Sequence, residues 1–180
     1  MKLKDPKNKN YCATVVKLST FAALPKLDRV QATFIFSNQV IVDKSCREGD
    51  IGLFFPVETQ LSNEFLSNNN LYRDPTLNVD ANKKGFFELN GRIRAIKFQG
   101  HKSEGFFIPL DSLKYLNYHQ FNIGDEFDEM EGHEICKKYV VKHVQNDRGP
   151  KRSKADKKLK RVSRLVENQF KFHIDMNSVA

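Results

Sequence analysis

Residues 29–44 read Arg29-Val-Gln-Ala-Thr-Phe-Ile-Phe-Ser-Asn-Gln-Val-Ile-Val-Asp-Lys44. Val30, Ala32, Phe34 and Phe36 alternate along the first half and share one face of an extended chain. Ser37-Asn38 is a short turn, and residues 39–44 form a return strand, so the stretch predicts a β-hairpin. Upstream, residues 11–20 are rich in β-branched types and read as a strand. Downstream, Glu48-Gly49-Asp50 turns the chain into Ile51-Gly-Leu-Phe-Phe55, a buried strand stopped by Pro56.

Beyond Pro56 the period changes. Leu61 and Phe65 lie four apart beside Leu66, which predicts a helix over 59–66, ended by Ser67-Asn68-Asn69-Asn70. A long loop follows, through Arg73-Asp74-Pro75 and Asn82-Lys83-Lys84-Gly85, and its length points to function or docking. Residues 92–98 read as a strand whose alternation slips at Ala95-Ile96, where a bulge would fit. Residues 105–108 are a further strand closed by Pro109, Asp111 can cap a short helix, and residues 135–142 are the last strand of the body. Short strands, turn signals and few helical patterns predict a mainly β protein. The expected form is a small OB-like antiparallel barrel with short helices, followed by a basic helical or disordered C-terminal extension. Such barrels commonly bind single strands or duplex backbones on an exposed face, an analogy of fold alone.

Composition narrows the partners. The chain has 180 residues with 39% hydrophobic content, 15 Phe and no Trp, enough for one core. Its net charge is +8 and its pI about 9.4, which favours polyanions, nucleic acid first among them. Cys12, Cys46 and Cys136 are too few and too scattered for a disulfide framework, and they suit a reducing, cytoplasmic setting. No apolar stretch approaches the ~18 residues of a membrane span, and Met1-Lys2-Leu3-Lys4-Asp5-Pro6-Lys7 has no apolar run behind it, so no membrane partner and no signal peptide are expected.

Several chemistries lack their motifs. Neither GxGxxG nor GxxxxGK[ST] occurs, and G-x-S-x-G is absent. His133, Cys136 and His143 are three soft ligands, short of the four of a structural zinc site; a turn histidine and a buried strand cysteine is the plainer account, and no metal is expected. Asp125, Glu126, Asp128, Glu129 and Glu131 could bind a hard cation, hold the basic tail in the absence of RNA, or form a solvated edge.

Basic residues of the body include Lys83 and Lys84. The candidate nucleic-acid contacts, chosen on charge and placement, are Lys44, Arg73, Arg92, Arg94, Lys97 and Lys102. Arg92 and Arg94, two apart in the expected strand, would project from one face and could each grip a phosphate. The second group is the basic tail: Lys151, Arg152, Lys154, Lys157, Lys158, Lys160, Arg161 and Arg164. There Ser153 and Asp156 have the spacing of a helix cap, and Leu159, Val162, Leu165 and Val166 make an apolar stripe at helical spacing. Gly149-Pro150 marks a break before it.

The run Glu48-Gly-Asp-Ile-Gly-Leu-Phe-Phe-Pro-Val-Glu-Thr-Gln-Leu-Ser-Asn-Glu-Phe-Leu66 resembles the N-terminal module of Deinococcus-type RNA ligases and their phage relatives. The resemblance continues through Asn69-Asn-Leu-Tyr-Arg73, Lys84-Gly-Phe-Phe87, Asn90-Gly-Arg-Ile-Arg-Ala-Ile-Lys97 and Ser103-Glu-Gly-Phe-Phe-Ile-Pro-Leu110. It resumes at Ile135-Cys-Lys-Lys-Tyr139, Lys158-Leu-Lys-Arg-Val-Ser-Arg-Leu165 and Gln169-Phe-Lys-Phe-His-Ile-Asp175. It implies an OB-like module ahead of a nucleotidyltransferase domain, in ATP-dependent enzymes of RNA repair that seal 3′-OH/5′-phosphate nicks. A lysine within Lys-x-(Asp/His)-Gly takes AMP in that second domain.

No Lys-x-(Asp/His)-Gly occurs in these 180 residues, so the resemblance carries over no catalytic residue. ATP and a divalent metal are expected only for the missing catalytic domain. The expected organisation is a flexible arm over 1–10, an OB-like domain over 11–146, a basic linker or helix over 147–168, and the truncated start of a nucleotidyltransferase domain over 169–180. The expected function is non-catalytic binding of nicked RNA or RNA/DNA duplex. Its rivals are a domain that docks on a ligase's catalytic half, in cis or in trans, and a stand-alone single-strand RNA- or DNA-binding protein.

Overall fold

The computed structural model describes residues 3–116 and 120–141. Two compact units divide the chain, Met1–Val140 and Val141–Ala180, and every described residue except Val141 lies in the first. The basic tail and the terminal segment Phe170–Asp175 lie outside the described residues.

The fold is mainly β. In chain order the strands are β1 (Ala13–Lys17), β2 (Phe21–Ala23), β3 (Val30–Ile35), β4 (Asn38–Asp43), β5 (Ile51–Phe55), β6 (Thr59–Leu61), β7 (Ile96–Phe98), β8 (His101–Ser103), β9 (Phe106–Pro109), β10 (Glu126–Phe127), β11 (Glu129–Met130), β12 (His133–Glu134) and β13 (Cys136–Lys138). The α-helix α1 (Asn63–Asn68) follows β6. The central sheet has the order β10-β1-β5-β9, and β2-β3-β4 form a second; β7-β8, β11-β12 and β13-β6 are two-stranded. Every strand pair is antiparallel.

The central sheet is buried on both faces. Ala13 and Val15 of β1 and Leu53 and Phe55 of β5 enter one core with Phe65, Leu66, Phe127 and Ile135. The intervening Val16 and Phe54 enter a second core with Leu18, Ile35, Val40, Val42 and Phe107. This explains why residues 51–55 read as a nearly unbroken apolar run, since alternation survives only where one face meets water. Each fully buried Phe or Leu contributes about 1.5–3 kcal/mol. Phe55 packs edge-on against Phe65, with centroids 5.7 Å apart, and stacks with Phe106 at 6.2 Å. Gly52 sits mid-strand because a Cβ there would overlap the Ile108 carbonyl and the Phe107 ring of β9.

The structure moves several sequence-based boundaries. Thr59–Leu61 is a strand paired with Cys136–Lys138 rather than the first turn of a helix. The helix begins after Ser62, whose side chain accepts from the Phe65 amide at 3.1 Å. The strand expected over 92–98 is confined to Ile96–Phe98, with Arg92 in an isolated bridge to Gln60. Asp111 lies inside a 3-10 turn (Leu110–Leu113) and pairs with Lys114 at 2.8 Å instead of capping it. In the hairpin, Phe36 and Ser37 make the turn, with φ of 48° and 68°. That register turns Thr33, Ile35, Val40 and Val42 inward and leaves Phe34 exposed on the other face.

The segment expected as a flexible arm is tied down from residue 3 onward. Leu3 packs on the first core, the Lys7 amide donates to the Asp128 carboxylate at 2.9 Å, and Glu129 pairs with Lys7 and Lys4 at 3.4 and 3.6 Å. The loop after α1 is pegged by buried Asn78. Its side chain accepts from the Tyr72 amide at 3.0 Å and donates to the carbonyls of Tyr72 and Lys83 at 3.1 and 2.7 Å. Gly85 allows this closure, because a Cβ there would overlap the Leu71 backbone.

Two outcomes are expected. Asn78→Ala strands buried backbone groups, each costing about 1–3 kcal/mol, so urea titration should show a loss of about 2–4 kcal/mol with an unchanged slope; a loss below about 0.5 kcal/mol would mean water replaces the peg. The Lys7 and Lys4 ammonium groups hold the Glu129 carboxyl below the usual carboxylate range. A folded-state value lowered in this way stabilises docking of the arm above the unfolded-state value, and the contribution vanishes as pH falls through the folded one. The Lys7 amide resonance should therefore keep its hydrogen-bonded position at neutral pH and lose it as pH falls through the lowered folded-state value of Glu129, with Glu129→Gln removing Glu129's share of the dependence.

Candidate nucleic-acid interface

The β3–β4 and β7–β8 hairpins lie side by side at one margin of the fold. The Gln39 side chain donates to the Lys102 carbonyl at 2.7 Å, the Glu104 amide donates to the Gln39 carbonyl at 2.8 Å, and the Ile41 amide donates to the Ser103 hydroxyl at 3.0 Å. Ser103 is buried at this joint. The second hairpin turns at Gln99 and Gly100, with φ of 48° and 91°, so both hairpins use two consecutive left-handed residues, the geometry that matches strand twist.

This margin carries exposed cations. Lys97 stands directly opposite Lys102 in the β7–β8 register. Like charges facing each other across a strand pair are unfavourable. Lys102 is partly neutralised by Glu104 at 2.9 Å, whereas Lys97 makes no ion pair among the described residues. Arg94, two residues before β7, and Lys44, directly after β4, are exposed and likewise make none there. Among the described residues, three of these four groups thus have no bridge to break on meeting phosphate.

The remaining body residues are placed differently. Arg73 is exposed and pairs with Glu88 at 2.5 Å. An exposed pair of this kind contributes little, about 0–1 kcal/mol, so Arg73 can trade Glu88 for phosphate. Arg92 is half-buried. Its guanidinium bonds Glu58 at 2.7 Å and lies 4.6 Å from the Tyr139 ring centroid, while the Tyr139 amide donates to the Glu58 carbonyl at 2.8 Å. Arg92 braces the last strand against the loop before β6, and it does not project beside Arg94 from a common strand as their spacing predicts. The tail cations Lys151, Arg152, Lys154, Lys157, Lys158, Lys160, Arg161 and Arg164 lie outside the described residues.

The other sequence candidates have local roles. His133 Nδ1 lies 2.8 Å from the Glu64 carboxylate, and Cys136 is buried in β13, its thiol pushed up by burial; His143 lies outside the described residues. Burial and the nearby Glu126 push Cys12 up to about 11. Among the described residues no three His, Cys, Asp or Glu side chains gather as a metal site would need. In the acidic group, Asp125 accepts from the Asn122 amide at 2.7 Å, Asp128 and Glu129 hold the N-terminal arm, and Glu131 occupies a turn with φ 51°. No helix among the described residues is long and apolar enough to cross a membrane.

Sequence reasoning misses the exposed rings at this margin. Alternation groups Phe34 and Phe36 with the apolar Val30 and Ala32, and it leaves Phe98 in an ordinary strand position. The overlooked signal is the return strand, where Val40, opposite Thr33, and Val42, opposite Gln31, share the inner face with Ile35.

No protein-family model matches the chain, and a search of curated proteins finds no match. Among solved structures the chain is similar to Naegleria gruberi RNA ligase with PPi, at 18% identity and a TM-score of 0.50, over 77% of this chain and 38% of that one. A mutant of the same ligase with ATP and Mn aligns at 20% identity with a TM-score of 0.49, over 72% of this chain and 35% of that one. This chain spans a little over a third of the ligase's length, and what the likeness shows at such identity is a shared fold.

Proposed function

We propose that this chain is the nucleic-acid-binding module of an ATP-dependent RNA ligase of the nick-sealing, Deinococcus-type kind, with an OB-like fold, and that it holds nicked RNA or RNA/DNA duplex for a nucleotidyltransferase domain. The observation that carries the reading is the cationic margin, where Lys97 faces Lys102 and Arg94 and Lys44 stand exposed nearby in sequence. The fold shared with part of an RNA ligase supports it. Holding both ends of a nick in register supplies orientation that the sealing step would otherwise lack. Arg73 and the tail from Lys151 to Arg164 extend the binding set by charge; Arg92 serves as an internal brace.

ATP and a divalent metal belong, in this reading, to the nucleotidyltransferase portion. No Lys-x-(Asp/His)-Gly occurs in the sequence, and among the described residues no group of three His, Cys, Asp or Glu side chains gathers. Incubation of the chain with labelled ATP and a divalent metal should leave the protein unlabelled; label on any lysine would make it an enzyme in its own right.

A second reading has its own observation. Val79, Phe86 and Leu89 are exposed in the long loop after α1, which suits docking on a ligase's catalytic half in cis or in trans. Salt separates the two. Binding to a nicked RNA duplex should weaken steeply as salt rises, and Lys97→Gln/Lys102→Gln should reduce the slope of log K against log salt by about 1.8, at roughly 0.9 for each phosphate no longer neutralised. A parent chain whose affinity for the duplex ignores salt would favour docking instead.

A further inference from the structure

We infer that Glu58, Arg92 and Tyr139 form a latch that fixes where the chain leaves its first compact unit, and that Arg92 is thereby a positioning residue for the cations downstream. The latch stands on geometry alone; its use in binding rests on the nucleic-acid reading above.

The three residues meet across one short strand, β6. On one flank, the Glu58 amide donates to the Ile93 carbonyl and the Ile93 amide to the Thr59 carbonyl, each at 2.8 Å, and Arg92 bridges Gln60. On the other flank lies β13, with Lys138 opposite Thr59. The Tyr139 amide extends that pairing by one step, donating to the Glu58 carbonyl at 2.8 Å. The Glu58 backbone therefore joins both flanks. Side chains join them a second time. The Glu58 carboxylate accepts from the Arg92 guanidinium at 2.7 Å, and that guanidinium lies 4.6 Å from the centroid of the Tyr139 ring. One planar cation closes the circuit, with a charge-assisted bond to the carboxylate and a ring face beneath it.

The backbone marks the same residue. Glu58 holds φ at 65°, in the left-handed region that a residue with a Cβ enters at a cost. The turn from β5 into β6 keeps it there, with the Thr59 amide donating to the Pro56 carbonyl at 3.3 Å. Strain of this kind persists where the surroundings over-determine it, and it gathers at clamps.

Position gives the latch its use. The first unit ends at Val140. Tyr139 is half-buried, whereas Val140 and Val141 after it are exposed. The cations from Lys151 to Arg164 follow in sequence. A tethered group acts at an effective concentration that falls as its tether lengthens. Fraying of β13 from its end would lengthen the tether, and the latch closes that end. Lysine cannot take the place of Arg92, because a compact ammonium has no plane to lay on the ring while it bonds Glu58.

The test uses the whole chain, with hydrogen exchange read at single amides and a nicked RNA duplex titrated at one fixed salt concentration. Glu58→Gln/Tyr139→Leu removes the ion pair and the ring and leaves every cation in place. The Tyr139 amide should then exchange about ten-fold faster, both contacts being lost together, while amides in β1 and β5 keep their rates. Duplex binding should weaken by about two- to ten-fold, with the loss of the latch as its ceiling. The direction is the discriminator, since removing a carboxylate strengthens polyanion binding when charge alone matters. Arg92→Lys, which keeps the charge, should also weaken binding, and Tyr139→Phe, which keeps the ring, should behave as the parent. Should the double variant unfold, Arg92→Lys and Tyr139→Leu give the same two readings singly. Tyr139 exchange at the parent rate would mean that no latch exists and would overturn the inference. Faster exchange with unchanged or tighter duplex binding would overturn the positioning role and leave the nucleic-acid reading standing. If the parent does not bind the duplex, that reading and the positioning role fail together, and exchange still decides the latch.

Discussion

Burial on both faces of the β1–β5–β9 sheet is the constraint from which the rest of the fold follows. A sheet whose alternate residues all leave water must be covered twice. One cover is α1 and the pegged loop behind it, which meet Val15, Leu53 and Phe55; the other is the β3–β4 hairpin, which meets Val16, Phe54 and Phe107. Gly52 and Gly105 follow from the same constraint, since a side chain at either would overlap the aromatic rings that make the sheet apolar.

Covering the second face with a hairpin has a consequence for function. The hairpin is one strand layer thick, so its inner residues, Ile35, Val40 and Val42, are consumed by the core, while Phe34 on its other face is exposed. Attachment of β8 beside β4 through Gln39, Ile41 and Ser103 widens that face through a few polar bonds. The buried thiols of Cys12, Cys46 and Cys136 all have their ionisation raised by burial, which makes them poor nucleophiles.

The mainly β antiparallel class, the hairpin over 29–44, the strand at 51–55 and the long loop near 70–90 were legible because each depends on local signals: alternation, turn residues and Pro56. What failed depended on pairing. Thr59–Leu61 has helical spacing with Phe65, but β13 captures it as a strand. The turn falls at Phe36-Ser37, one residue earlier than composition suggests, which moves every cross-strand partner by two residues. The shortening of the strand before Phe98 follows from the bridge between Arg92 and Gln60, a partner too far upstream for any local window to reveal. The candidate cations were legible as a class, and their availability was not.

Availability is decided by local carboxylates, and Arg92 and Arg94 differ most sharply in this respect. These two identical side chains, two residues apart, part ways because the backbone bridge at Arg92 presents it to Glu58 and Tyr139, where a charge-assisted bond and a ring face hold it. Arg94 follows outside that bridge and finds no carboxylate among the described residues. The same sorting runs over the body: Glu129 takes Lys4 and Lys7, Glu88 takes Arg73, Asp80 takes Lys83, and Glu134 takes Lys137. A net charge of +8 therefore says little about where a polyanion can bind until the internal pairs are set aside. Once they are, Arg94 and Lys97 lie beside the exposed rings in sequence, and Lys44 follows the strand that seats them.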